Sequence, residues 1–182
     1  MKQRLPENSL TIRPFKGDDD MPAVVAFVSM QQEHEREVQP GLRNGPPIAV
    51  PHTKAVREKT DDRGLVLVAL INDMPVAFVA AYSEVDPSIL IEEESRLHGV
   101  VQNLFVLPNW RNMGVATQLL THIEGFFRDK GITRVRIRGV AQNEAMNALS
   151  SARGYKPYQT IVEKILPQPT HKLVDGKVKR QG

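Results

Sequence analysis

Between Leu107 and Leu120 the chain packs a proline, an arginine, a glycine and the start of an amphipathic helix into one short stretch, "LPNWRNMGVATQLL". The first turn of a helix leaves backbone N–H groups unpaired, and the helix dipole puts partial positive charge there. A tight loop feeding that turn can wrap its amides around an anion, phosphate most naturally. Gly114 lets the backbone approach closely without a Cβ, Ala116 keeps the next turn narrow, and Arg111 adds a permanent cation with forked donors. The stretch can therefore hold a pyrophosphate. An ordinary strand-to-helix turn with a solvated arginine has the same spacing, and the residues alone do not separate the two.

The elements around this junction follow from periodicity. "LTIRPF" (Leu10 to Phe15) alternates as a half-buried strand should, and Asp18, Asp19 and Asp20 favour the start of a helix over residues 19 to 35. Residues 39 to 51, with four prolines and two glycines, read as a loop, followed by a shorter helix over His52 to Lys59. Leu65 to Ile71 and Pro75 to Tyr82 read as a hairpin turned at Asn72 and Asp73. An acidic connection with one helical turn leads to a strand over Val100 to Val106. After Gly114, Val115, Leu119, Ile123, Phe126 and Phe127 form one apolar stripe, with Gly131 closing the helix. "TRVRIRGV" is an alternating strand, "NEAMNALSSARG" a short helix capped by Asn143, and Tyr155 to Leu166 a closing strand or strand pair. The expected domain runs from residue 1 to 166, and residues 167 to 182 form a basic, flexible tail.

Composition removes whole classes of chemistry. A chain of 182 residues without cysteine has no disulfide, thiolate nucleophile or cysteine-based zinc site. Its five histidines are scattered, so no metal is expected. The N-terminus has no apolar h-region and the longest apolar run, Leu65 to Ile71, cannot span a bilayer; a soluble cytoplasmic protein without membrane contact is the expectation. A formal charge of +3 and few aromatics argue against a nucleic-acid partner.

"RNMGVA" (Arg111 to Ala116) fits the Q/R-x-x-G-x-G/A motif and resembles the GNAT superfamily of N-acetyltransferases, which bind the acetyl-CoA pyrophosphate there. The likeness extends from residue 10 to about 165 and includes the Gly154-Tyr155 pair after the last helix. It implies an α/β (α+β) fold: a mixed, mostly antiparallel central sheet with helices on both faces. It implies that Phe105 and Val106 offer backbone hydrogen bonds to the pantetheine arm, where the central strand splays from its neighbour. Arg111, Asn112, Met113, Gly114, Val115 and Ala116 would cradle the pyrophosphate. Asn143 matches an asparagine that often touches the cofactor, and a plain N-cap explains it equally.

Acetyl transfer needs a neutral amine, although a lysine-like amine has a pKa of about 10. It also needs a donor for the oxyanion and a proton for the departing thiolate. Many relatives carry a glutamate base on the central strand and a tyrosine acid in the last helix; Gln102 and Ser150 stand at those positions here. Nearby substitutes are His98 and Glu94 as bases and Tyr155 as the group reaching the thiol. Proximity alone also supplies rate. Arg134, Arg136 and Arg138 share a strand face expected to meet solvent or acids, with a subunit interface of a homodimer or a site for an acidic partner as the sharper reading. "QQEHERE" (residues 31 to 37) falls where the family lines its acceptor site, and reads otherwise as a charged, exposed helix end.

The sequence thus points to an N-acetyltransferase that uses acetyl-CoA on a primary amine of a small molecule or peptide, by direct attack. The contrasting reading is a non-catalytic acyl-CoA-binding sensor or assembly domain of the same fold.

Overall fold

The computed structural model describes residues 9–167, 173–174 and 177–178. Its centre is a hairpin. β2 (Gly64–Ile71) and β3 (Met74–Val85) pair antiparallel across Asn72 and Asp73, whose φ angles of 50° and 61° are those a tight hairpin turn demands and Asn and Asp tolerate. β1 (Leu10–Pro14) pairs antiparallel with β2, and β4 (Leu97–Val106) antiparallel with β3. β5 (Val135–Ile137) adds parallel to β4, giving the order β1-β2-β3-β4-β5. The expected mixed, mostly antiparallel sheet is therefore present.

Helices cover both faces. On one lie α1 (Gly17–Val38) and α2 (Gly45–Arg63), which bury Phe27, Val28 and Val56 against Val68, Phe78 and Phe105. On the other lies α4 (Val115–Asp129), whose Val115, Leu119, Leu120, Ile123 and Phe127 meet Val101, Leu104 and Val106. A Cβ on Gly99 would stand 2.5 Å from the Phe127 ring, so the missing side chain sets how closely α4 seats on β4. Single-turn α3 (Glu93–Arg96) precedes β4, and α5 (Glu144–Ala152) follows β5.

Three expectations are corrected. The proline-rich loop and short helix are one helix, α2: Pro46 and Pro47 occupy its first turn, where a missing N–H costs nothing, and only Pro51 forgoes an interior bond. α1 likewise runs past both ends of residues 19 to 35. No closing strand forms between Tyr155 and Leu166; Ile161, Val162 and Ile165 are 86–90% exposed. Pro157 cannot donate to a ladder, and β5 beside it is three residues long. Most of the expected tail lies outside the described residues; within it β6 (Leu173–Val174) and β7 (Lys177–Val178) pair antiparallel.

Candidate active site

β4 and β5 run together only from Gly99/Val135 to Val101/Ile137, after which Arg138 N–H donates to Val101 O at 3.2 Å and the strands part. β4 continues alone to Val106. At this point its register with β3 slips, from Ala81/Val101 to Ala80/Asn103, leaving Gln102 as the extra residue of a bulge. Past the bulge, Leu107 N–H donates to Val76 O. Antiparallel alternation then assigns Asn103 and Phe105 main-chain groups to β3, and turns those of Leu104 and Val106 toward the opening. Of the two residues expected to offer backbone bonds there, Val106 faces the gap and Phe105 does not. Leu104 was missed, because a bulge that switches the parity of a strand leaves no mark in an apolar run.

Beyond β4 a short 3-10 turn at Pro108–Trp110 carries the chain to Arg111. Asn112 and Gly114 then take left-handed φ angles of 61° and 85°, and α4 begins at Val115. A Cβ at Gly114 would meet nothing within 4 Å, so the space over the helix N-terminus is open. Amides of the first α4 turn have no intrahelical acceptor and lie at the positive end of the dipole. Asn112 and Gly114 are exposed, Met113 and Ala116 half-buried, and Val115 buries its side chain beneath the loop. This donor set and open glycine suit a diphosphate. Arg111 lies back along β4: its Nε donates to Val106 O at 3.0 Å and its guanidinium sits 5.7 Å from the Phe105 ring centre. Asn143 caps α5, its Oδ1 accepting from Met146 N–H at 3.1 Å.

The expected acid–base residues stand apart from one another. His98 is 1% exposed; Nδ1 lies 2.8 Å from Arg96 O and Nε2 3.3 Å from Glu84 Oε1, an acid that also pairs with Arg138. Glu94 is exposed on α3. The Tyr155 hydroxyl donates to Glu124 at 2.9 Å, and burial together with that carboxylate pushes its pKa up, which makes it a poorer acid. Glu124 also holds Arg153. Ser150 bonds back to Met146 O in its own helix. Gln102 Oε1 accepts from the Tyr82 hydroxyl at 3.1 Å and from Arg138 at 3.5 Å. The arginine face of β5 meets acids of β3 and the connection after it, Arg138 with Glu84 and Arg136 with Asp86 at 2.9 Å.

None of His98, Glu94 and Tyr155 lines the cleft that opens beside the splay. Gln31, Gln32 and Glu35 of α1, His52 of α2, Gln102 and Asn103 of β4, and Arg138 after β5 do, around about 250 Å³ of space. Part of the charged end of α1 thus faces this cleft rather than bulk solvent. Hydrogen-bond distances of 3.1, 3.1 and 2.9 Å link His52 to Asn103, Asn103 to Gln31 and Gln31 to Glu35. The i,i+4 pair Gln31/Glu35 was legible on a helix; nothing local pointed to His52. Among the described residues no group of three or more His, Asp or Glu can hold a metal, and no helix is long and apolar enough to cross a membrane.

Comparison with known proteins bears on the family and the fold. The model of the acetyltransferase (GNAT) family matches residues 24–155. A search of curated protein sequences found no match. Among solved structures, a GCN5-related N-acetyltransferase from Ralstonia eutropha JMP134 is 19% identical with a TM-score of 0.65, over 86% of this chain and 98% of that one. The aminoglycoside N-acetyltransferase AAC(6')-Iy in complex with CoA is 16% identical with a TM-score of 0.64, over 89% and 98%. Aminoglycoside 6'-N-acetyltransferase AAC(6')-Ih from Acinetobacter baumannii is 17% identical with a TM-score of 0.64, over 88% and 99%. At these identities the likeness is one of fold.

Proposed function

The chain belongs to the acetyltransferase (GNAT) family, and on that premise we propose that it transfers the acetyl group of acetyl-CoA to a primary amine of a small molecule or peptide by direct attack. The observation that carries this reading is the splay itself: an open strand edge at Leu104 and Val106 lies between a helix N-terminus fit for a diphosphate and a polar cleft fit for an amine. Bound acetyl-CoA supplies an activated thioester. The amides from Asn112 to Ala116 would hold its diphosphate, and the main chain of Leu104 and Val106 its pantetheine arm. Val106 O already accepts from Arg111 Nε, and its second lone pair is the one the arm would use.

A cationic acceptor finds Glu35 in the cleft and amide oxygens around it. Aminoglycoside acetyltransferases among the structural neighbours favour a small polyamine over a protein surface. The non-catalytic reading draws on Gln102, which cannot take a proton, and on Ser150, turned back to its own helix.

Incubation with acetyl-CoA and a panel of polyamines, aminoglycosides and amine-bearing peptides decides between them. Thiol release with a product heavier by one acetyl group is expected. Thermal stabilisation by acetyl-CoA without thiol release from any amine would support the binding domain instead.

A further inference from the structure

We infer that His52 is the base that receives the acceptor's proton, its ring held in one tautomer by a relay through Asn103 and Gln31 that ends on the Glu35 carboxylate. This assignment rests on the acetyl-transfer reading.

The relay has a direction, and the direction follows from donor and acceptor chemistry. A carboxylate only accepts, so Gln31 must present Nε2–H to Glu35 Oε1, at 2.9 Å. Its Oε1 then faces Asn103 and accepts from Nδ2–H at 3.1 Å. Asn103 Oδ1 is left facing His52 Nε2 at 3.1 Å, and an amide oxygen requires a hydrogen there. Reversing either amide would set oxygen against oxygen. His52 therefore carries its proton on Nε2, and the basic lone pair of the neutral ring is on Nδ1. Among the described residues no hydrogen bond engages Nδ1.

Position supports the role. Asn103, 6% exposed, stands immediately before Leu104 and ties the half-buried ring to β4 where that strand opens. Charged groups facing the cleft beside the ring are Glu35 from α1 and Arg138 beyond β5; β4 contributes the neutral Gln102 and Asn103. In the step itself the ammonium nitrogen gives one proton to His52 Nδ1, and the lone pair so freed forms the C–N bond. As the C–S bond breaks, sulfur leaves with its electron pair and takes the nitrogen's second proton. The imidazolium returns its proton to water. His52 is the catalytic residue of this step; Asn103, Gln31 and Glu35 are positioning residues.

Two measurements test this. Long-range ¹H–¹⁵N spectra of protein labelled in its histidines, assigned with His52→Gln, should show His52 as the Nε2–H tautomer; a neutral ring protonated on Nδ1 would overturn the relay. With the best amine from the panel, His52→Gln should lower kcat/KM about 100-fold. It should also replace the wild-type ascending limb with one that climbs toward the amine's own pKa of about 10, while acetyl-CoA still stabilises the variant. Added imidazole should restore part of the rate in His52→Ala. Glu35→Gln should cost about tenfold and Glu35→Asp less, with the limb retained in both. An unchanged rate and profile in His52→Gln would sink the base assignment alone. Wild-type inactivity on every amine would sink the acetyl-transfer reading, and the base role with it, whatever the tautomer.

Discussion

The loop ahead of α4 and the cleft beneath α1 meet at β4, but the chain specifies them differently. Every residue assigned to the diphosphate lies between Arg111 and Ala116, whereas the cleft draws on Gln31, Glu35, His52, Gln102, Asn103 and Arg138. Holding a diphosphate, as proposed for the loop, would take main-chain amides and a helix dipole, which a contiguous stretch provides once it turns from strand to helix. The role proposed for the cleft would take side chains that converge from two helices and a bulged strand. A site made of backbone is therefore readable as a motif, and a site made of convergent side chains exists only once the fold does.

The largest expected effect breaks the loop and spares the cleft. Gly114→Glu places a Cβ in open space at a φ of 85°, so the apo-protein should fold with a strain of about 1 kcal/mol. Carboxylate and Cβ then stand where phosphates would sit, and acetyl-CoA affinity should fall at least about 100-fold. Wild-type protein gains roughly 2.7 kcal/mol at a ligand concentration of 100 times its Kd, and the variant should keep no more than about 0.4 kcal/mol of that there. Unaltered affinity in the folded variant would refute the loop assignment.

Legibility divides along the same line. Asn72 and Asp73, the α4 stripe and the Asn143 cap were all readable, because each is decided by residues within one or two turns of it. α2 was half-missed: prolines punctuate loops, yet the first helical turn is the one place in a helix that welcomes them. The residues from Tyr155 to Leu166 suggested a closing strand or strand pair, but strand formation depends on a partner edge that no local pattern reveals. Gln102 was noticed for its position, while the bulge that turns Leu104 to the opening was invisible in "VVQNLFV". His52 opened the presumed short helix, and its partner Asn103 lies 51 positions away in chain order.

A smaller effect sharpens the comparison from the cleft side. α1, which carries Gln31 and Glu35, is fastened to β1 by Asp20. This carboxylate is 2% exposed and accepts from Arg13 at 2.6 and 2.8 Å and from Lys16 N–H at 2.6 Å. Those donors, Arg13 foremost, hold its pKa below the ordinary 3.8. The folded state thus favours the ionised form. Its stabilisation is complete above the unfolded carboxylate pKa and fades as pH falls through the lower folded value. Asp20→Asn should cost about 3 kcal/mol at pH 7 in urea unfolding. The gap to wild type should narrow once pH drops below 3.8. Binding of acetyl-CoA by the folded variant should stay near wild type, because the loop rests on β4 and α4. A gap that widened toward acid pH would show that another group governs this end of α1.

The smallest effect concerns the residue in the family's usual acid position. Ser150 spends its hydroxyl proton on Met146 O, one turn back in α5, and a serine bonded this way neither points outward nor ionises easily. Alanine removes that back-bond and has the higher helix propensity, so Ser150→Ala should leave stability unchanged or raise it by about 0.5 kcal/mol. Transfer to the best amine should stay within about twofold of wild type. The same variant discriminates between the two regions. If the rate fell about 100-fold with acetyl-CoA affinity intact, Ser150 would be delivering a proton to the leaving sulfur. Its rotamer would then have to change when the splay fills, which α5 permits because only one side-chain hydrogen bond must break. If the rate holds, the thiolate takes its proton from the amine itself, and the site's proton traffic runs on the cleft side of β4.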